Sequence, residues 1–223
     1  MKRSAYLLAL VTLIVLGWQY PMLDPLKLLV VLFHESSHAL ATLLTGGSVV
    51  ELVIVPEQGG HVLSKGGNRF VILSAGYLGS LLWGVAIYLA SVKSRYDQVI
   101  MIVLGVVVMT VTAVFGRGGF SWGFGLGAGL TMVLVGSRFH RAINDFALRL
   151  IGLTNMLYVP LDIYSDILER SHLRSDAYLL AQETFGTTVM WGSLWLLITL
   201  GVIAACLRVS LAPGEHPPDR TPR

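Results

Sequence analysis

The sequence predicts an all-α polytopic membrane protein with six to seven transmembrane helices and one small β-hairpin. Of its 223 residues, 54% are hydrophobic and only 13% are charged, whereas a soluble domain has about 25% charged residues. Several apolar runs approach the ~20 residues that a helix needs to cross a bilayer. We therefore read residues 1–210 as one membrane-embedded domain. A disordered tail is predicted at 211–223, where four prolines and several charges leave little to pack.

Six apolar runs and one interrupted run account for the predicted spans. The interrupted run, 150–168, contains Pro160, which lacks a backbone N–H and should kink or break the helix there. Lys and Arg are nearly equal in number on alternate loops, so the positive-inside rule does not choose an orientation. The six clear spans are predicted at 5–20, 26–44, 70–90, 99–115, 120–135 and 188–207.

The second apolar run carries the motif HExxH, formed by His34, Glu35 and His38. On a helix, each residue turns by about 100°, which places the two histidines roughly 40° apart on one face with Glu35 beside them. Two imidazoles one turn apart can bind zinc, and the carboxylate can take a proton from an activated water. The alternative is a pair of buried core histidines. Ionisable groups are costly in lipid and usually functional there, which favours the metal site.

A different kind of segment follows the motif. Residues 48–55 are rich in β-branched side chains and too short to span as a helix, and a Pro- and Gly-containing turn separates them from 61–64. This pattern predicts a β-hairpin. An open sheet edge cannot face lipid, so the hairpin should lie at the interface or line a watery cavity beside the motif. His61 in the return strand could line the approach to the site, or be an ordinary loop histidine.

A catalytic zinc needs a third protein ligand besides the two histidines, and one open position. Asp162 and Asp166 are the candidates, because both lie in an apolar segment where an unpaired carboxylate is costly. Asn155 precedes Asp162 by seven residues and could orient a ligand or a substrate carbonyl. The alternative for either aspartate is an ion pair with a nearby arginine, such as Arg138 or Arg141.

The order of these features resembles the site-2 protease family of intramembrane zinc metallopeptidases. The resemblance rests on HExxH in an early span, the hairpin, Ala-Gly-Tyr-Leu-Gly at 75–79, and the stretch from Asn155 through Pro-Leu-Asp at 160–162. The family's second motif supplies the third zinc ligand from an Asp, which here corresponds to Asp162. Ile163 stands where the family has Gly.

Three further features resemble the divergent B-type, peptidase-like branch of that family. They are the Ala-Gly-Tyr-Leu-Gly-Ser stretch at 75–80, the four-residue spacing of Asp162 and Asp166, and Ser-Asp-Ala at 175–177. For this branch, the resemblance implies the fold more firmly than the substrate.

The resemblance implies a Zn²⁺-dependent endopeptidase with Glu35 as its general base, acting on a transmembrane segment of a membrane-protein substrate. The expected location is the lipid bilayer, as a multi-pass protein of the cell membrane. Nucleic-acid binding is not expected, because the basic residues are scattered between apolar runs. Two alternatives stay open: an inactive membrane scaffold of the same fold, and a metal transporter, although no internal repeat typical of transporters is present. The sequence does not indicate an oligomeric state.

Overall fold

The computed structural model describes residues 2–169 and 174–211, and the predicted tail lies outside them apart from Leu211. A 3₁₀ turn at Pro21–Leu23 precedes the second helix, and a π-helical turn at Ser165–Glu169 follows the sixth. Two strands, β1 at Ser48–Val55 and β2 at Gly59–Lys65, connect the second helix to the third. The described part contains α1 (Lys2–Gly17), α2 (Asp24–Leu44), α3 (Arg69–Lys93), α4 (Asp97–Phe115), α5 (Gly119–Arg138), α6 (Arg141–Tyr164), α7 (Asp176–Glu183) and α8 (Thr188–Leu211).

The described helices give five membrane spans, or six if α1 and α2 together form one bent span. The five are α3, α4, α5, α8 and α6 extended to Ile167. This confirms the polytopic helical membrane class, but with fewer spans than the upper prediction of seven. The difference lies at the N-terminal end, where α1 has 16 residues and the chain then bends by 117° into α2. A helix of 16 residues is shorter than the ~20 needed to span alone.

Of the predicted kink or break at Pro160, the break does not occur. α6 continues through Pro160 to Tyr164, and the irregularity appears only afterwards, in the π-helical turn. Close packing supports α6 over this region, because Val159 and Ile163 on either side of Pro160 are buried in a core cluster that α6 shares with α3. Tertiary contacts of this kind hold a helix together despite the one backbone donor that proline removes.

The third helix, α3, organises the core. On one side it packs with α1, α6, α7 and α8 around a cluster that includes Tyr77 and Leu81. On the other side it meets α2, and Phe33 of α2 stacks on Trp83 of α3 with ring centroids 5.2 Å apart. α3 therefore holds the helix that carries HExxH and also contacts the elements that follow α6.

The predicted β-hairpin is confirmed. β1 and β2 pair antiparallel, with Ser48 opposite Lys65 at one end and Val55 opposite Gly59 at the other. Both strands lie along α2. The hairpin is therefore placed next to the HExxH helix, as the sequence predicts.

The two edges of the hairpin have different neighbours. The outer edge of β1 meets the connection between α4 and α5: the N–H of Arg117 donates to the carbonyl of Leu52 at 2.9 Å. The N–H of Ile54 donates to the Ser121 hydroxyl at 2.8 Å. Within the part of the chain that is described, no third strand pairs with β2. β2 thus carries the open edge of this small sheet.

Candidate metal centre

The two histidines of HExxH face the same point, as their spacing predicts. The Nε2 atoms of His34 and His38 lie 3.1 Å apart. The Nδ1 atom of His38 lies 2.7 Å from the carbonyl oxygen of Ile72 on α3. A carbonyl can only accept, so this contact places the proton on Nδ1 and leaves the Nε2 lone pair for a metal.

A carboxylate from a distant part of the chain completes the group. The Oδ2 atom of Asp176 lies 3.0 Å from Nε2 of His34 and 3.1 Å from Nε2 of His38. Among the described residues, these three form the one group of His, Cys, Asp or Glu side chains whose ligand atoms all lie within 4.8 Å of one another. Burial would raise the pKa of Asp176, but the adjacent histidines outweigh it and hold that pKa well below its usual range.

The short helix α7 positions this carboxylate. Asp176 is its first residue, and the side chain of Ser175 caps the helix by accepting a hydrogen bond from the N–H of Tyr178. At the other end, the Arg69 guanidinium donates two hydrogen bonds to Glu183, at 2.9 and 2.7 Å. The Arg69 contact lowers the pKa of Glu183. α7 is therefore fixed against the start of α3.

The three side chains fit a tetrahedral metal ion. Zinc–ligand bonds of about 2.0–2.1 Å put adjacent ligand atoms about 3.3 Å apart in a tetrahedral site, close to the 3.0–3.1 Å observed here. A Cβ added to Gly76 of α3 would come within 2.5 Å of His38 Nε2 and Asp176 Oδ2 and would also meet His34 Nε2. The space shared by the three ligand atoms thus exists because position 76 has no side chain.

Glu35 lies beside this group, under the hairpin. Its side chain is buried, and within the described residues its Oε2 atom has no hydrogen-bond partner. A Cβ added to Gly60 of β2 would lie 2.9 Å from Glu35 Oε1. The backbone of β2 therefore passes directly over the carboxylate. A buried carboxylate with a free oxygen is suited to accept a proton.

One cavity connects these features. It has a volume of about 510 Å³ and is lined by the three candidate ligands, Glu35 and a stretch of β2. Asp162 and Asp166 line it as well. The cavity is large enough for a peptide segment to approach the histidines along β2.

The position of Asp162 differs from the prediction that it is the third ligand. It lies in the cavity wall but is not part of the close group, in which Asp176 takes the predicted place. The physical reason is that α6 does not break at Pro160, so Asp162 stays on the helix in the cavity wall. Asp166, predicted as a supporting residue, also lines the cavity, and it accepts a hydrogen bond from the Tyr77 hydroxyl.

The other two predicted supporting residues have different surroundings. Asn155 does not line the cavity: it is buried between α6 and α3 against Gly84 and donates to the carbonyl of Ile151 at 3.1 Å. It is thus not placed to orient a ligand or a substrate carbonyl. His61 does line the cavity, and its Nε2 lies 3.7 Å from a carboxylate oxygen of Glu51.

Sequence reasoning did not identify Asp176 as a ligand candidate. It is 142 residues from His34 in the chain, and no helical or strand period connects the two. A local signal was present in the Ser-Asp-Ala stretch at 175–177, where a capping serine precedes an acidic residue at the start of a helix. Sequence reasoning also did not identify Gly76 and Gly60 as parts of the site, because their roles depend on the side chains that pack against them in the fold.

Comparison with known proteins identifies the family of this chain. The family model described as Peptidase M50B-like matches residues 7–206, which includes the HExxH helix, the hairpin and Asp176. No curated protein and no solved structure matches the chain. With five or six membrane-spanning helices, the chain is an integral membrane protein. The match covers most of its length, and the protein belongs to the M50B-like branch of the site-2 protease family.

Proposed function

We propose that this protein is a zinc endopeptidase that hydrolyses a peptide bond of a membrane protein within or near the bilayer of the cell membrane. The observation that carries the proposal is the convergence of His34, His38 and Asp176 at 3.0–3.1 Å. Glu35 lies next to this group in the same cavity. Membership of a peptidase family supports the same reading.

Nε2 of His34, Nε2 of His38 and Oδ2 of Asp176 would hold the metal. Two imidazoles and one carboxylate suit zinc better than magnesium or calcium, which prefer oxygen ligands. A bound zinc would supply Lewis acidity that polarises the scissile carbonyl and activates a water. In this proposal Asp176 replaces Asp162 as the third ligand.

Glu35 moves the proton. Its carboxylate accepts a proton from the attacking water as the water oxygen bonds to the scissile carbonyl carbon. The carboxyl group then passes this proton to the departing amide nitrogen as the C–N bond breaks. The products are a carboxylic acid and an amine, and Glu35 returns to its charged form.

The hairpin would bind the substrate. The peptide bonds of a transmembrane helix are shielded by their own hydrogen bonds, so the segment must unwind before it is cut. An unwound segment can then pair with the open edge of β2, which lines the cavity. Strand pairing would satisfy the backbone of the substrate while placing it beside Glu35.

The test is co-expression of candidate membrane proteins with the wild type or with a Glu35→Gln variant, followed by membrane proteomics. Fragments that only the wild type produces are expected, together with stoichiometric zinc in both proteins. Equal fragment sets in the two strains, with zinc bound, would favour the inactive scaffold. Zinc that crosses the membrane in vesicles containing the protein would favour the transporter.

A further inference from the structure

Tyr77 is a buried side chain in the cavity wall to which the steps above assign no role. It is 3% exposed and directly follows Gly76 on α3. It lines the same cavity as the candidate ligands. A tyrosine at such a place offers an aromatic ring for packing and one hydroxyl proton to donate.

The ring of Tyr77 packs edge-on against the imidazole of His34. The two ring centroids lie 5.1 Å apart with planes at 85°. The tyrosine ring also contacts Trp195 of α8, with centroids 5.3 Å apart and planes at 45°. Aromatic pairs favour edge-to-face contacts such as the one with His34. Tyr77 thus packs against both α8 and His34, and it limits the rotation of the His34 imidazole.

The hydroxyl of Tyr77 is held by Asp166, to which it donates a hydrogen bond. Asp166 lies in the π-helical turn that follows α6. Such turns are rare, and they occur frequently at functional sites. The same turn contains Ile167, which is buried against Gly192 of α8. The Asp166 carboxylate, which accepts the hydrogen bond from the Tyr77 hydroxyl, therefore belongs to a turn that is packed in place.

We infer that Tyr77, held by Asp166, is a positioning residue for the metal ligand His34. The inference rests on the metal centre of the proposed function. The hydrogen bond fixes the phenol, and the phenol fixes the plane of the imidazole. The direction of the Nε2 lone pair follows from that plane. Loss of a group that orients a metal ligand typically lowers metal affinity about 10- to 100-fold.

The other histidine has a different orienting contact. His38 Nδ1 lies 2.7 Å from the carbonyl of Ile72. This backbone contact does not involve Tyr77. A change at Tyr77 should therefore loosen the His34 side of the site and leave the His38 side intact.

The test compares zinc release from the purified full chain and its Tyr77→Phe variant, using a coloured chelator in excess. The variant keeps the ring and loses the hydroxyl. We expect zinc release about tenfold faster than from the wild type, and a shifted visible spectrum when Co²⁺ replaces zinc. Tyr88→Phe is the matched control, because Tyr88 is on the same helix, is 4% exposed and lines a separate small cavity. It should release zinc at the wild-type rate.

A double-mutant cycle tests the role of Asp166. Asp166→Asn should also speed zinc release, and it should add little in the Tyr77→Phe background, because the carboxylate acts through the phenol. If the two substitutions multiply each other's effect on the rate of zinc release, Asp166 does not act through Tyr77. Thermal melting of the metal-free proteins separates loss of the fold from loss of metal, and the Tyr77→Phe and Tyr88→Phe melting temperatures should match.

Two outcomes would overturn the inference itself. One is wild-type release from Tyr77→Phe, and the other is equal acceleration in Tyr88→Phe. Neither would affect the proposed peptidase. A wild-type chain that binds no zinc would instead overturn the metal centre of the proposed function, and this inference with it.

Discussion

Oδ2 of Asp176 lies 3.0 Å from Nε2 of His34, although 142 residues separate the two in the chain. The contact depends on α7, a helix of only eight residues that is capped by Ser175 and tied to α3 through Arg69. A short helix thus places a charged group beside two histidines of a distant, largely apolar helix.

Replacing Asp176 should empty the metal site. Asp176→Asn keeps the size of the side chain but replaces a carboxylate ligand with a neutral amide, so zinc affinity should fall by more than the roughly 10- to 100-fold typical of an orienting partner. Asp162→Asn is the matched control and should keep its zinc. Metal analysis of both purified variants decides the matter. Zinc retained by Asp176→Asn and lost from Asp162→Asn would return the third ligand to Asp162.

A methyl group at position 76 should exclude the metal. Gly76→Ala places a carbon against all three candidate ligand atoms, so we expect loss of bound zinc with little change in helix content. Gly123→Ala in α5 is the control, since a Cβ there meets nothing within 4 Å. Circular dichroism and metal content should be measured together. Normal zinc in Gly76→Ala would show that the metal lies elsewhere.

A methyl group at position 60 should affect hydrolysis but not metal binding. Gly60→Ala would press on Glu35, with its Cβ 2.9 Å from Oε1. Displacing a general base can cost as much as removing it, about 10²- to 10⁴-fold in rate. Gly59→Ala serves as control, because its nearest contact is the Val55 side chain at 3.3 Å. Cleavage should be measured in zinc-loaded samples, and an unimpaired Gly60→Ala would contradict the placement of the base under β2.

Proline in β2 should block substrate and leave zinc in place. Backbone N–H groups alternate in direction along a strand, so Val62→Pro and Leu63→Pro remove one donor toward β1 and one toward the open edge. We expect both to lose cleavage with zinc content unchanged. The variant that keeps the hairpin, judged by thermal stability, isolates the effect of the open edge. Full cleavage by both would exclude strand addition.

The Arg69–Glu183 pair should tether α7 in a pH-dependent way. Because Arg69 lowers the pKa of Glu183, the pair stabilises the docked helix above the usual glutamate pKa of about 4.3. That contribution is lost as the pH falls through the lowered pKa. Both side chains are substantially exposed, so the contribution is at most about 1 kcal/mol. Hydrogen exchange of α7 in Arg69→Gln should be faster than in the wild type at pH 7, and the difference should shrink as the pH falls through the lowered pKa of Glu183. Equal exchange at pH 7 would show that the pair does not hold α7.

Local sequence patterns are sufficient to predict the membrane class, the hairpin and the HExxH geometry. Each of these depends on near neighbours: apolar runs set the spans, β-branched residues set β1, and the four-residue spacing of His34 and His38 sets their common face. The third candidate ligand depends on tertiary packing. α6 stays helical through Pro160 because it packs closely on α3, which keeps Asp162 in the cavity wall. α7 returns to α3, which brings Asp176 to the histidines. The space at Gly76 also depends on the tertiary structure, because the Ala-Gly-Tyr-Leu-Gly stretch shows where a close approach is possible but not which side chains make it.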